Sequence, residues 1–226
     1  MIRLSSLRVA YGRTLALDGV DLEIAEGIVG VFGQNGSGKS TLLRVLAGLL
    51  VPTSGRAEYN GHAISASNET FRRRVAYAGH EAGLYPRLTI AENLQLFSDL
   101  YGAEPERAPE VLRALGLEAR TDSPVGELSA GFKRRAAVAR ALLHDPELLL
   151  LDEPYANLDD DAGEIVSSAI RKWHTPERTA IIATHGAKKL KRYAHAGLIL
   201  QRGRVVTYGR YRRTPTAEPQ RKGVRT

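Results

Sequence analysis

Two hydrophobic periods alternate along this chain, and their order outlines a fold. Ile2 to Ala10 and Leu15 to Ile24 put apolar side chains at every second position for most of their length and meet at Gly12-Arg13, which predicts an antiparallel strand pair. Gly27 to Phe32 is a continuous apolar run, the pattern of a buried strand. Beyond Gly33 the period changes: Leu42, Leu43, Val45, Leu46 and Leu49 recur at helical spacing from Lys39 onward. Pro52-Thr53-Ser54-Gly55 breaks that helix; Ala57 to Ile64 then reads as one strand and Val75 to Ala78 as another. From Leu84 to about Leu143 the pattern is helical, in pieces separated by Gly102, Pro105 and Pro124-Val125-Gly126. Strands return at Leu148 to Leu151 and Thr179 to Ala183, with a helix between them whose apolar stripe is Ile165, Val166, Ala169, Ile170 and Trp173. Leu198 to Leu200 and Val205 to Thr207 form a last hairpin, turning at Arg202-Gly203.

This order predicts an α/β fold: a mostly parallel core sheet, an antiparallel N-terminal β layer, and a helical subdomain over about residues 84–143. Length supports one substantial core, with residues 1–209 as a single domain. Charge adds one detail. The net charge of +7 resides in residues 202–226, which hold eight basic side chains against one acid, so 210–226 reads as a basic, solubilising, disordered tail. Anionic headgroups or nucleic acid are alternatives for it, though direct nucleic-acid binding is not expected. The absence of cysteine excludes disulfides and thiolate metal sites. Met1-Ile2-Arg3-Leu4 enters strand alternation without a charged-then-apolar leader, and no apolar run approaches the roughly 20 residues a membrane span needs. The expected location is the cytoplasmic face of the cell membrane, as a peripheral subunit.

The strand-to-helix junction carries the first candidate chemistry. Gly33-Gln34-Asn35-Gly36-Ser37-Gly38-Lys39-Ser40 matches G-x-x-x-x-G-K-[ST] with the flanking strand and helix that the motif requires. Its glycines let successive N–H groups face phosphate oxygens, Lys39 supplies a point charge, Ser40 can ligate Mg²⁺, and the Thr41 N–H belongs to an anion-favouring helix start. Leu148-Leu149-Leu150-Leu151-Asp152-Glu153 complements it. The buried strand delivers Asp152 to the Mg²⁺ shell beside Ser40, and Glu153 can polarise an attacking water. A simple capping role for the two acids before Pro154 is the alternative.

A second anion-receptive helix start follows the helical stretch at Leu128-Ser129-Ala130-Gly131-Phe132, and Lys133 to Leu142 read as an amphipathic helix with basic residues near its start. Together with Tyr11 in Val9-Ala10-Tyr11-Gly12, Ala156-Asn157-Leu158-Asp159, and His185 after Ile181-Ile182-Ala183-Thr184, these motifs resemble the ATP-binding cassette (ABC) ATPases from Val9 to about Gly209. The resemblance implies a P-loop NTPase fold of that type, with ATP and Mg²⁺ as cofactors. It implies that Tyr11 stacks on adenine, that Ser129 and Gly131 contact the γ-phosphate held by a second copy of the domain, and that Asp159 lies where the two copies sense each other. His185 would orient Glu153 and its water. Local readings compete at three positions: Tyr11 as a strand tyrosine, Ser129 as an N-cap, and Asp159 as a turn residue before a helix.

Three positions depart from the common pattern. His80 in Ala78-Gly79-His80-Glu81 stands where most relatives have a glutamine that contacts Mg²⁺ and its water, so it joins Glu153 and His185 as a catalytic candidate. Ala130 replaces a glycine and Phe132 a glutamine. With Gly79 to Leu84 and Leu88 to Leu94, these features resemble the ATPase subunit of the cytochrome c maturation haem exporter. The expected function is an ATP-hydrolysing homodimer that drives a separate integral membrane permease. A soluble ABC ATPase, such as an iron-sulfur assembly scaffold, is the alternative. The DNA-repair type is disfavoured because about 90 residues without sustained heptads separate Ser40 from Ser129. Intact Lys39, Asp152, Glu153 and His185 disfavour a degenerate regulator.

Overall fold

A computed structural model describes residues 1–65, 67–185 and 187–211. The chain builds two sheets. β1 (Ile2–Tyr11) and β2 (Thr14–Ile24) pair antiparallel, and β1 also pairs with β4 (Ser54–Tyr59), which turns back into β5 (His62–Ala63) to give the order β2-β1-β4-β5. Ala57 to Ile64 is therefore a hairpin, not one strand. Tyr59 pairs with His62 across Asn60 (φ 50°) and Gly61 (φ 80°). Two positive-φ residues in a two-residue loop are what Asn-Gly favours, so the local signal for the turn was present in the sequence.

The second sheet runs β10-β9-β3-β8-β7-β6. Its members β3 (Gly27–Phe32), β6 (Val75–Ala78), β7 (Leu148–Asp152), β8 (Thr179–Ala183) and β9 (Ala196–Gln201) are mutually parallel, while β10 (Arg204–Arg210) is antiparallel to β9. Two cores sandwich this sheet. Leu148, Leu150, Ile181 and Ala183 face the one shared with the N-terminal sheet and α1 (Lys39–Leu46). Leu149, Leu151, Ala180 and Ile182 face the one made by the helices. Every residue of β7 is buried, which is why it reads as a continuous apolar run.

α2 (Glu69–Arg74) and α7 (Ala187–Lys191) have no counterpart in the sequence reading, each being too short to show a hydrophobic period. α2 is set locally, the Asn68 side chain accepting from the Phe71 N–H at 3.1 Å. The helical stretch divides into α3 (Ile90–Tyr101), α4 (Arg107–Ala114) and α5 (Ala130–Leu142). Leu84 to Leu88 is not helical because α3 begins at a capping box. Thr89 Oγ1 accepts from the Glu92 N–H (3.1 Å), and Glu92 accepts from the Thr89 N–H (2.8 Å). Asn93, fully buried, bonds the loop before it, accepting from the Tyr85 N–H and donating to the Tyr85, Leu88 and Thr89 carbonyls.

α5 buries the apolar stripe of the amphipathic reading, Ala137, Val138, Ala141 and Leu142, and two of its basic residues as well. Arg134, Arg135, Ala136 to Ala139, Ala141 and Leu142 are all buried. Arg135 donates to the Leu115 and Gly116 carbonyls and Arg140 to that of Tyr77, so these arginines satisfy backbone acceptors inside the fold. α6 (Asp160–Trp173) carries the expected stripe. At the C-terminal end β10 closes at Arg210 and the Tyr211 N–H donates to His195 O; most of the basic tail, 212–226, lies outside the described residues.

Candidate functional site

Lys39 is 7% exposed, and its ammonium donates to the carbonyls of Gly33 (2.8 Å) and Gln34 (3.2 Å). The loop Gly33, Gln34, Asn35, Gly36, Ser37, Gly38 thus curls around the charge, further closed by the Ser37 N–H donating to Gln34 O. Gly38 caps α1 at φ 107°, and a Cβ there would lie 2.6 Å from Ala16 O, so only glycine fits. Ser40 and Thr41 occupy the first turn of α1, Ser40 exposed. A cavity of about 280 Å³ is bounded by Gly33 to Ser37 and Ile199 to Arg202.

Asp152 ends β7, 2% exposed. Side chains alternate along a strand, so it shares the face of Leu148 and Leu150, the face against which α1 packs. The strand register therefore brings Asp152 to the side of the phosphate loop. Ser40 and Asp152 offer oxygen donors only. Among the described residues no cluster of three His, Cys, Asp or Glu could hold a metal alone. That combination fits Mg²⁺, a hard cation that keeps waters and phosphate oxygens besides one or two protein ligands.

Glu153 has φ 51°, a left-handed conformation that costs a non-glycine residue about 1–3 kcal/mol and persists only when neighbours enforce it. They are identifiable. The Glu153 N–H donates to Ala183 O at 2.8 Å; the Thr184 hydroxyl donates to Oε2 and the His185 N–H to Oε1, both at 3.0 Å. His185 Nδ1 also lies 3.0 Å from Oε2, with its ring largely exposed. The structure thus brings Glu153 and His185 together, and adds Thr184, 1% exposed, which the sequence reading passed over.

His80 lies just past β6, its side chain exposed. Its carbonyl and that of Gly79 each accept from Arg134 at 2.7 Å. Burial lowers the Arg134 pKa, while the charges of Asp152 and Glu153 counter it. From His80 a groove of about 810 Å³ runs past Tyr77, Arg44, Arg73, Leu100 and Arg140.

The remaining candidates lie elsewhere. Ser129 caps α5, its Oγ accepting from the Phe132 N–H at 3.4 Å, and it is exposed. A Cβ on Gly131 would meet Asn157 O at 3.2 Å and Leu158 at 3.4 Å, so this helix start packs against the loop before α6. Asp159 caps α6, Oδ1 accepting from the Ala162 N–H at 2.7 Å. Tyr11, 48% exposed, ends β1 opposite Thr14.

A phosphate loop between a buried parallel strand and a helix, with acids at the end of β7, one strand removed across β8, defines an α/β nucleotide-hydrolysing domain. Residues 17–156 match the ABC transporter family. The chain is 33% identical over 215 residues to the Nod factor export ATP-binding protein I of Cupriavidus metallidurans, spanning 93% of this chain and 71% of that protein. Its structure is similar to a dimeric post-hydrolysis ATP-binding cassette bound to ADP and Pi, with TM-score 0.86, 28% identity, and coverage of 95% of this chain and 100% of the other. It is also similar to an ATP-binding subunit of an ABC transporter, with TM-score 0.84, 29% identity, and coverage of 93% and 90%. The chain belongs to the ABC transporter family as its ATP-binding, ATP-hydrolysing subunit. Among the described residues no helix is long and apolar enough to cross a membrane.

Proposed function

We propose that two copies of this chain bind two MgATP between them and drive a separate membrane subunit of an exporter. The observation that carries the shared site is a second anion-receptive helix start besides that of the phosphate loop. Ser129, exposed, and Gly131 form it, packed against the loop of Asn157 and Leu158. A site using both needs a second copy, and the dimeric state of the ADP-bound relative supports one.

Each residue then has a physical role. Tyr11 offers a ring face to adenine. Gly33 to Thr41 direct N–H groups at the phosphates, and Lys39, with two of its three donors held by Gly33 and Gln34, keeps one for phosphate. Ser40 and Asp152 would hold Mg²⁺, whose charge offsets that developing on the transferred phosphoryl group. Glu153, held by Thr184 and His185, accepts the proton of the attacking water. His80 and His185 orient that water, the partner's Ser129 and Gly131 close over the γ-phosphate, and Asp159 lies at the seam. The groove from His80 to Leu100 is the surface offered to the membrane subunit.

Export is the direction carried by the name of the Cupriavidus relative. The finer reading, a haem-exporter-like role in cytochrome c biogenesis, has only His80, the form of the signature (the helix start Leu128-Ser129-Ala130-Gly131-Phe132) and two short segments behind it. The relatives bear Nod factor names instead, so cargo stays unassigned. No observation favours the soluble scaffold alternative. Glu153→Gln should lower phosphate release about 10²–10⁴-fold while ATP binding persists, measured by phosphate release and equilibrium nucleotide binding. Hydrolysis at the parental rate would remove Glu153 from its role.

A further inference from the structure

Arg134 lies five residues beyond Ser129 on the same helix, about 7.5 Å along its axis. Its side chain is buried, and its hydrogen bonds end on main-chain oxygens around the site: Gly79 O (2.7 Å) and Asp152 O (3.4 Å) from Nη1, and His80 O (2.7 Å) from Nη2. Ala78 is the last residue of β6 paired to β7, so the main chain of Gly79 and His80 has left the sheet, and Arg134 holds it there. A planar, two-pronged guanidinium suits this task, because it fixes two successive carbonyls at once; an ammonium is a point donor. Arg135, one position on, donates to Leu115 and Gly116 within the helical lobe.

We propose that Arg134 is a positioning residue that ties the nucleotide-facing start of α5 to the chain's own His80 segment and to the end of β7 at Asp152. It rests on the dimeric reading above. When the partner's ATP pulls on Ser129 and Gly131, α5 moves as a rigid rod and Arg134 carries the Gly79-His80 segment with it. One chain's signature thereby adjusts that chain's own hydrolytic groups, and the two sites of the dimer are coupled through a single side chain.

The test uses Arg134→Lys in the full chain. Expected are a kcat for ATP hydrolysis lowered about tenfold with KM within about twofold, and faster hydrogen exchange at amides 79–83 with the phosphate-loop amides unchanged. In the double variant with His80→Ala, which removes the ring proposed to orient the water, the two kcat losses should fail to multiply, because both act through one segment. An unchanged kcat, unchanged exchange at 79–83, or independent multiplication of the losses would overturn the proposal. If Arg134→Lys does not fold, Arg134→Gln is read by the same three outcomes. The dimer is checked separately by ATP-dependent dimerisation of Glu153→Gln. Failure there rejects the shared-site reading, whereas a normal dimer with an unaffected Arg134 variant rejects only the coupling.

Discussion

A histidine far from the phosphates sets a pH limit on the fold. His144 stacks on Tyr101 with ring centroids 4.3 Å apart, and its Nε2 lies 3.3 Å from Val75 O. Desolvation lowers its pKa; Arg140 and Arg107 act in the same direction, while the Val75 carbonyl and Asp145 oppose them. The unfolded chain, with an ordinary value near 6.5, therefore takes up this proton first as pH falls. Its contribution to stability is complete above about pH 6.5 and is lost as pH drops from there through the depressed folded value. His144→Phe keeps an aromatic stack and removes the titration. Between about pH 7.5 and about pH 5.5 its melting temperature should fall less than the parent's, and equal falls would show that His144 is not the group responsible. At this scale the phosphate-loop residues, Asp152 and Glu153 were legible, because a contiguous motif carries its own geometry. Thr184 and Arg134 were not, since each acts on a segment distant in sequence.

Among the elements, α6 begins at a side chain that caps the helix and to which the proposed dimer gives a second role. Asp159 accepts from the Ala162 N–H, satisfying one of the orphan donors of the first turn. Removing that cap as Asp159→Ala should cost about 1 kcal/mol, read by denaturant unfolding. Asp159→Asn retains an acceptor of comparable capping strength, so its stability should stay within about 0.5 kcal/mol of the parent. If the carboxylate also meets the second copy, the Asp159→Asn variant, stable but uncharged there, will hydrolyse ATP more slowly. Parental rates in both variants would leave capping as its role. Periodicity placed the long elements correctly but misjudged α5. Three arginines in thirteen residues look like a solvated face, and only packing against the segments Tyr77 to His80 and Leu115-Gly116 turns them inward. The β4–β5 turn failed for the opposite reason, a local Asn-Gly signal overridden by a run of strand-like residues.

For the whole molecule, the proposed shared site makes a prediction no single chain can satisfy. Lys39→Ala disables the phosphate loop and Ser129→Arg the opposing helix start, so homodimers of either should be inactive. Mixed dimers recreate one intact site from the loop of one chain and the signature of the other. Random mixing should then restore roughly a quarter of the parental ATPase rate. No recovery on mixing, with mixed dimers demonstrated, would mean that each chain works alone. The sequence by itself determined the order of the long strands and helices, the phosphate loop and the acidic strand end, because these depend on neighbours a few residues apart and on hydrophobic period. Tertiary structure alone decided that Asp152 faces α1, that Glu153 is held in a left-handed turn by Thr184 and His185, and that Arg134 reaches the His80 segment. Those relations depend on sheet register and on the burial of charged groups, which arise only when distant segments pack.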